Sequence, residues 1–210
     1  MAKHGPGTRR RSQNRNQGAD QIAVRERFLI VCEGTETEPR YFQNFDAPGR
    51  VLEVRGTGMN TLSLVNEAIR LRAELETDRP PGQEPFDQCW CVFDRDSFGT
   101  FNEAIDKARA NGFRAAYTNE AFELWYLLHF DYHDAALSRQ QYGDKLSDLL
   151  RRRYEKDDPT MYAALLPRQE AAIQNAERLM ARYDPHNPQR DNPCTTVHEL
   201  VKELRRNSRP

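Results

Sequence analysis

Glu33 directly follows the apolar run Phe28-Leu29-Ile30-Val31-Cys32, and Asp94 and Asp96 follow a second such run, Cys89 to Phe93. Alternate residues of an extended segment face the same side, so Asp94-Arg95-Asp96 aims two carboxylates one way. Clustered carboxylates repel one another, and a fold that gathers them loses stability unless a cation neutralises them. Hard oxygen ligands suit Mg2+ or Mn2+. Such ions activate water and stabilise charge on a phosphodiester, especially as a pair about 3.5 to 4 Å apart. Taken alone, an Asp-x-Asp after an apolar strand also fits sugar transferases, phosphatases, kinases or a solvated loop. Glu33 has a plain alternative as a turn carboxylate beside Gly34, and Asp96 as the cap of a following helix.

The elements that must position these acids read as alternating strands and helices. Phe28 to Cys32 is a short buried strand ending at Glu33-Gly34. Thr37 with Glu38-Pro39 predicts an N-cap and proline in the first turn of a short helix. Val51 to Arg55 is a second strand, broken by Gly56-Thr57-Gly58. Leu62, Val65, Ile69, Leu71 and Leu75 then recur at helical spacing. Cys89 to Phe93 is the central strand, Phe101 to Asn111 a helix with Gly112 at its C-terminal cap, and Phe113 to Tyr117 a fourth strand. Repeated strand and helix predict an α/β fold with a mostly parallel sheet flanked by helices. In such sheets ligands bind beyond the carboxyl ends of the strands, where these acids lie.

Beyond Asn119 the pattern turns helical, over Ala121 to Phe130, about Asp144 to Tyr154, about Arg168 to Tyr183 and Thr196 to Arg206. This gives three parts: a disordered basic arm at 1–20, an α/β core at 25–130, and a helical C-terminal extension at 131–210 packed on that core. Glu123 stands in the apolar stretch Ala121-Phe122-Glu123-Leu124-Trp125, where a carboxylate is either functional or part of a buried ion pair. His129 and His133 have i, i+4 spacing but lack the glutamate of a zinc-protease helix, so helix-end or surface roles are favoured. Lys107 and Arg95 are candidates for phosphate contact. Arg151-Arg152-Arg153 either complements a helix dipole or extends a basic track.

With 38% hydrophobic and 30% charged residues over 210 positions, the chain carries enough clustered apolar material for one core. Its net charge of −1 hides an uneven distribution: Met1 to Gly18 holds Lys3, Arg9, Arg10, Arg11 and Arg15 and no acid. A flexible polycation of this kind either contacts nucleic-acid phosphates by releasing counterions or serves as a solubilising tail. No apolar run approaches the roughly 20 residues that span a bilayer, which predicts a cytoplasmic protein without a membrane partner. The four cysteines read as reduced thiols. No heptad or exposed apolar stripe points to an oligomeric state.

Four segments in order, FLIVCEGTETEPRYF at 28–42, WCVFDRD at 90–96, TNEAFELWYLLHF at 118–130 and NPCTTVHELV at 192–201, resemble the RloB-like proteins. These are small Toprim-related proteins of bacterial defence and restriction loci, often encoded beside an ATPase. The resemblance implies a Toprim-like fold in which Glu33, Asp94 and Asp96 hold Mg2+ or Mn2+. Related nucleases carry a further glutamate, matched by Glu38 with one residue more in the spacing. Where the family reads Asn-Pro, this chain has Asn119-Glu120.

Residues and resemblance together predict a metal-dependent nuclease, with Glu33, Asp94 and Asp96 catalytic and Glu38 and Glu123 as further metal ligands. Arg9, Arg10, Arg11, Arg15 and Arg95 are the expected contacts to DNA or RNA, and an AAA- or ABC-type ATPase the expected partner. Two alternatives stand beside it: a non-catalytic nucleic-acid-binding or regulatory subunit, and a phosphoryl-transfer enzyme acting on nucleotides.

Overall fold

The structure, a computed structural model, describes Met1, residues 26–95 and residues 99–206 of the chain. Strands β1 (Glu26–Cys32), β2 (Arg50–Gly56), β3 (Gln88–Asp94) and β4 (Arg114–Asn119) pair in parallel, and β5 (Cys194–Thr195) adds antiparallel to β4. The order across the sheet is β2-β1-β3-β4-β5. This is the α/β architecture expected, a mostly parallel sheet with helices around it.

Both faces of the central strands β1 and β3 are buried, which explains why these two read as continuous apolar runs, whereas the edge strand β2 is half-buried and alternates apolar with charged residues. Phe28, Ile30, Cys32, Trp90 and Val92 project into one core with residues of α1 (Thr37–Gln43), α4 (Glu123–Leu127) and α5 (Arg139–Leu150). Helices α6 (Met161–Leu165), α7 (Gln169–Met180) and α8 (Val197–Arg206) close that same face. Leu29, Val31, Cys89, Cys91 and Phe93 project the other way, against α2 (Thr61–Thr77) and α3 (Phe101–Ala110). All four cysteines are buried and free.

Three local expectations are corrected. Residues 131–210 are not only helical, because β5 joins the sheet through Thr118–Thr195 and Asn119–Cys194 pairing. A two-residue strand is too short for any periodic pattern to reveal. The helix expected from about Asp144 begins at Arg139, after a capping box in which Ser138 and Gln141 each take the other's backbone amide. Thr37 does not cap α1; it is the first helical residue, and its hydroxyl donates to the carbonyl of Lys156 at 3.2 Å. Backbone curvature around the loop after β1 is tight: a Cβ on Gly56 would stand 2.6 Å from the carbonyl oxygen of Gly34, so the end of β2 can approach that loop only as glycine.

Candidate functional site

β1 and β3 are neighbours, with Cys32 opposite Val92, so the acids that follow or end these strands emerge at one edge of the sheet. The Glu33 amide continues the pairing by donating to the Val92 carbonyl at 2.8 Å. Asp94 shares the alternation of Trp90 and Val92, which directs its side chain to the face covered by α1, α4 and α5. Those helices supply the rest of the site. Glu38 comes from the first turn of α1, Glu123 opens α4 and Arg139 opens α5.

Glu33, Glu38, Asp94 and Glu123 line one open cleft of about 260 Å³, together with Glu36 at its rim. Facing these five carboxyl groups are two cations, Arg139 and Lys156. Glu36 also pairs with Arg40 at 2.7 Å on the exposed side. Glu38, Asp94 and Glu123 are all buried, and Glu33 is half-buried. Arg139 stands 3.5 Å from Asp94, and Lys156 stands 3.7 Å from Glu123, which also accepts a hydrogen bond from the Tyr154 hydroxyl at 3.2 Å.

The electrostatics follow from this crowding. Burial pushes the Asp94 carboxyl well above its ordinary 3.8; the charge on Glu38 adds to the rise, Arg139 opposes it, and Glu123 and Glu33 add further. Burial likewise raises Glu38, against hydrogen bonds from its own amide and from that of Gly34. The Glu38 carboxylate lies over Gly34 where a Cβ would otherwise sit. Two carboxyls that resist ionisation, with others beside them, make a site that a divalent cation would relieve.

The donor set fits such a cation in kind, since every acidic ligand offers hard oxygen. Among the described residues no three His, Cys, Asp or Glu side chains already stand together at ligating distance. From the described residues an ion here would therefore take the oxygens of one or two carboxylates, and Mg2+ habitually fills the rest of its shell with water and substrate.

Four of the acids singled out from the sequence thus meet, despite the extra residue between Glu33 and Glu38. Asp96 and the arginines at 9, 10, 11 and 15 lie outside the described residues. Arg95 is half-buried, its amide donates to the Thr118 carbonyl at 2.8 Å, and it does not line the cleft, nor does Lys107. For Glu123 the two alternatives merge, because it lines the cleft and has an ionic partner in Lys156. His129 is a core residue: its Nδ1 bonds to the Trp125 carbonyl at 2.8 Å, and burial pushes its pKa down to about 4. Arg152 of the triple-arginine run pairs with Asp158.

Arg139, Tyr154 and Lys156 were missed by the sequence reading. Only Arg139 left a signal: Ser138-x-x-Gln141 marks a helix start and places a cation in the first turn, the end where the helix dipole disfavours one. Among the described residues no helix is long and apolar enough to cross a membrane.

Comparison with curated proteins and with solved structures gives no match. The family model described as RloB-like protein matches residues 28–204, a span that begins in β1 and ends in α8 and so takes in every side chain of the cleft. The chain belongs to the RloB-like protein family.

Proposed function

We propose that this protein is a metal-dependent nuclease that hydrolyses nucleic-acid phosphodiesters at the cleft formed by Glu33, Glu38, Asp94 and Glu123. The observation that carries the reading is the meeting of these four carboxyls at the carboxyl end of β1 and β3, with Asp94 and Glu38 held above their ordinary range. Asp94, with Glu33 or Glu38 and with Asp96 two residues on in sequence, would hold Mg2+ or Mn2+. Bound there, the ion would supply Lewis acidity toward a phosphoryl oxygen and lower the pKa of a coordinated water.

The protein's own residues do the rest. Glu38, buried beside Glu33 in the cleft and held above the ordinary carboxyl range by that burial, is a candidate general acid or base. Arg9, Arg10, Arg11 and Arg15 would contact the nucleic-acid backbone, together with Arg95. The resemblance to RloB-like proteins supports a Toprim-type reaction in bacterial defence with an AAA- or ABC-type ATPase encoded nearby, and the cytoplasm is the location we propose for it.

The test is cleavage. Full-length protein incubated with Mg2+ or Mn2+ and a panel of DNA and RNA, with and without the neighbouring gene product, is expected to cut polynucleotides. Asp94→Ala is expected to abolish the cutting. Cleavage that survives Asp94→Ala, or activity confined to mononucleotides, would sink the proposal.

A further inference from the structure

The acidic cleft is built by the α/β core, but both of its cations come from the region after residue 130. Neither is held tightly. The Arg139 side chain is 46% exposed while its partner Asp94 is 10% exposed, and Lys156 is 64% exposed against 6% for Glu123. At 3.5 and 3.7 Å these are long contacts in which a hydrated cation leans over a buried acid. With the cation end of each pair in water, its charge is open to solvent and to a second anion.

Their placement is nonetheless fixed by the backbone. Arg139 is the first residue of the 12-residue helix α5, whose capping box sets the entry of the chain. A cation there opposes the helix dipole, while an anion would be favoured by it. Lys156 sits in the segment between α5 and α6, and its carbonyl accepts from Thr37 on α1, which ties this segment to the acidic rim. Two exposed cations and a helix N-terminus therefore surround the mouth of a cleft whose floor is acidic.

We propose that Arg139 and Lys156 are substrate-positioning residues that bind the non-bridging oxygens of a phosphodiester entering the cleft. This inference rests on the nuclease reading. They pair with Asp94 and Glu123, and a divalent ion held by those carboxylates would leave both cations for phosphate. Arg139 offers a planar fork suited to two phosphate oxygens, and Lys156 a point charge. The region after residue 130 thus supplies the cationic half of the binding site, with Arg139 against Asp94 and with Lys156 and Tyr154 against Glu123.

The experiment measures binding apart from cleavage. A fluorescein-labelled single-stranded oligonucleotide, as DNA and as RNA, is titrated with full-length protein in Ca2+ across a salt series. Arg139→Gln and Lys156→Gln are each expected to weaken binding about tenfold, the scale of one charge-assisted hydrogen bond. The slope of log affinity against log salt should fall by about 0.7 for each lost contact. Mn2+ binding measured by calorimetry should tighten in the same variants, because a competitor for the carboxylates has gone.

Tighter Mn2+ binding with unchanged oligonucleotide affinity and salt slope would show that the cations only neutralise the acids, and the proposal would fall. Lys156→Arg guards against misfolding: it keeps the charge and should retain most of the binding, and if it loses as much as Lys156→Gln the phosphate role is wrong; Arg139→Lys keeps the charge without the fork and should fall between wild type and Arg139→Gln, a loss beyond that of Arg139→Gln counting against the proposal. Wild-type protein that binds the oligonucleotide but never cuts it with Mg2+ or Mn2+ would end the nuclease reading and leave this one standing. Wild-type protein that does not bind would overturn this one.

Discussion

Glu177 on α7 and Asp94 on β3 are both carboxylates beside a cation, yet their protons are held in opposite ways. Lys202 donates to Glu177 at 2.5 Å and lowers its pKa, whereas burial and neighbouring acids raise that of Asp94. The groove around Glu177, between α7 and α8, is the larger opening at about 640 Å³. It is also balanced: Glu170 pairs with Arg205, Glu177 with Lys202 and Glu203 with Arg206, and in each pair at least one side chain is open to water. In the acidic cleft three of the carboxyls are buried and acids outnumber cations. Size and charge content therefore do not distinguish a site from a scaffold. Burial combined with unbalanced charge does, because only there does ionisation cost enough for a ligand to relieve it.

The largest expected difference between the two regions is in cleavage. Glu33→Gln or Glu123→Gln should lower the metal-dependent rate by roughly 10² to 10³-fold, the scale for removing one preorganised electrostatic group. Glu177→Gln should leave the rate unchanged in the same assay. Equal losses in both regions would mean that the cleft is not special.

Metal linkage should separate them next. Mg2+ or Mn2+ at about 100 times its dissociation constant is expected to stabilise the wild type by about 2.7 kcal/mol in thermal melts. That gain should vanish in Asp94→Asn and persist in Glu177→Gln.

A smaller effect concerns pH without metal. Asp94 has a folded pKa above its unfolded value, so its contribution favours folding fully below about pH 3.8 and is lost as pH rises through the raised value. Asp94→Asn should therefore melt about 2 to 4 °C higher than metal-free wild type at neutral pH, equivalent to about 1 kcal/mol for a chain of this length. The advantage should shrink on acidification toward pH 4. A variant no more stable than wild type at pH 7 would mean that Arg139 already offsets the burial of Asp94.

The smallest effect is in the balanced groove. Glu177→Gln should cost no more than about 1 kcal/mol by chemical denaturation, because the pair with Lys202 is exposed on both sides. A larger loss would show that the α7–α8 ion pairs do more for stability than their exposure allows.

The central strands were legible because burial on both faces makes each a short apolar run with an acid at or just after its end, as in Phe28 to Glu33 and Cys89 to Asp94. The acids Glu33 and Asp94 were legible for the same reason, since the carboxyl end of a parallel strand is where ligands gather. Glu123 was legible only as an anomaly in an apolar stretch, and Glu38 only through resemblance. What no local pattern carried was adjacency. That β1 lies against β3 is a property of chain topology, and it alone converts two strand ends 61 positions apart, from 33 to 94, into one cleft. Arg139 and Lys156 depend on adjacency still more, because exposed cations in a polar segment look alike until tertiary packing sets two of them over buried carboxylates. The sequence determined the strands, their terminal acids and the family; the tertiary structure decided which charges would meet, since electrostatic strength depends on separation and burial that no single segment encodes.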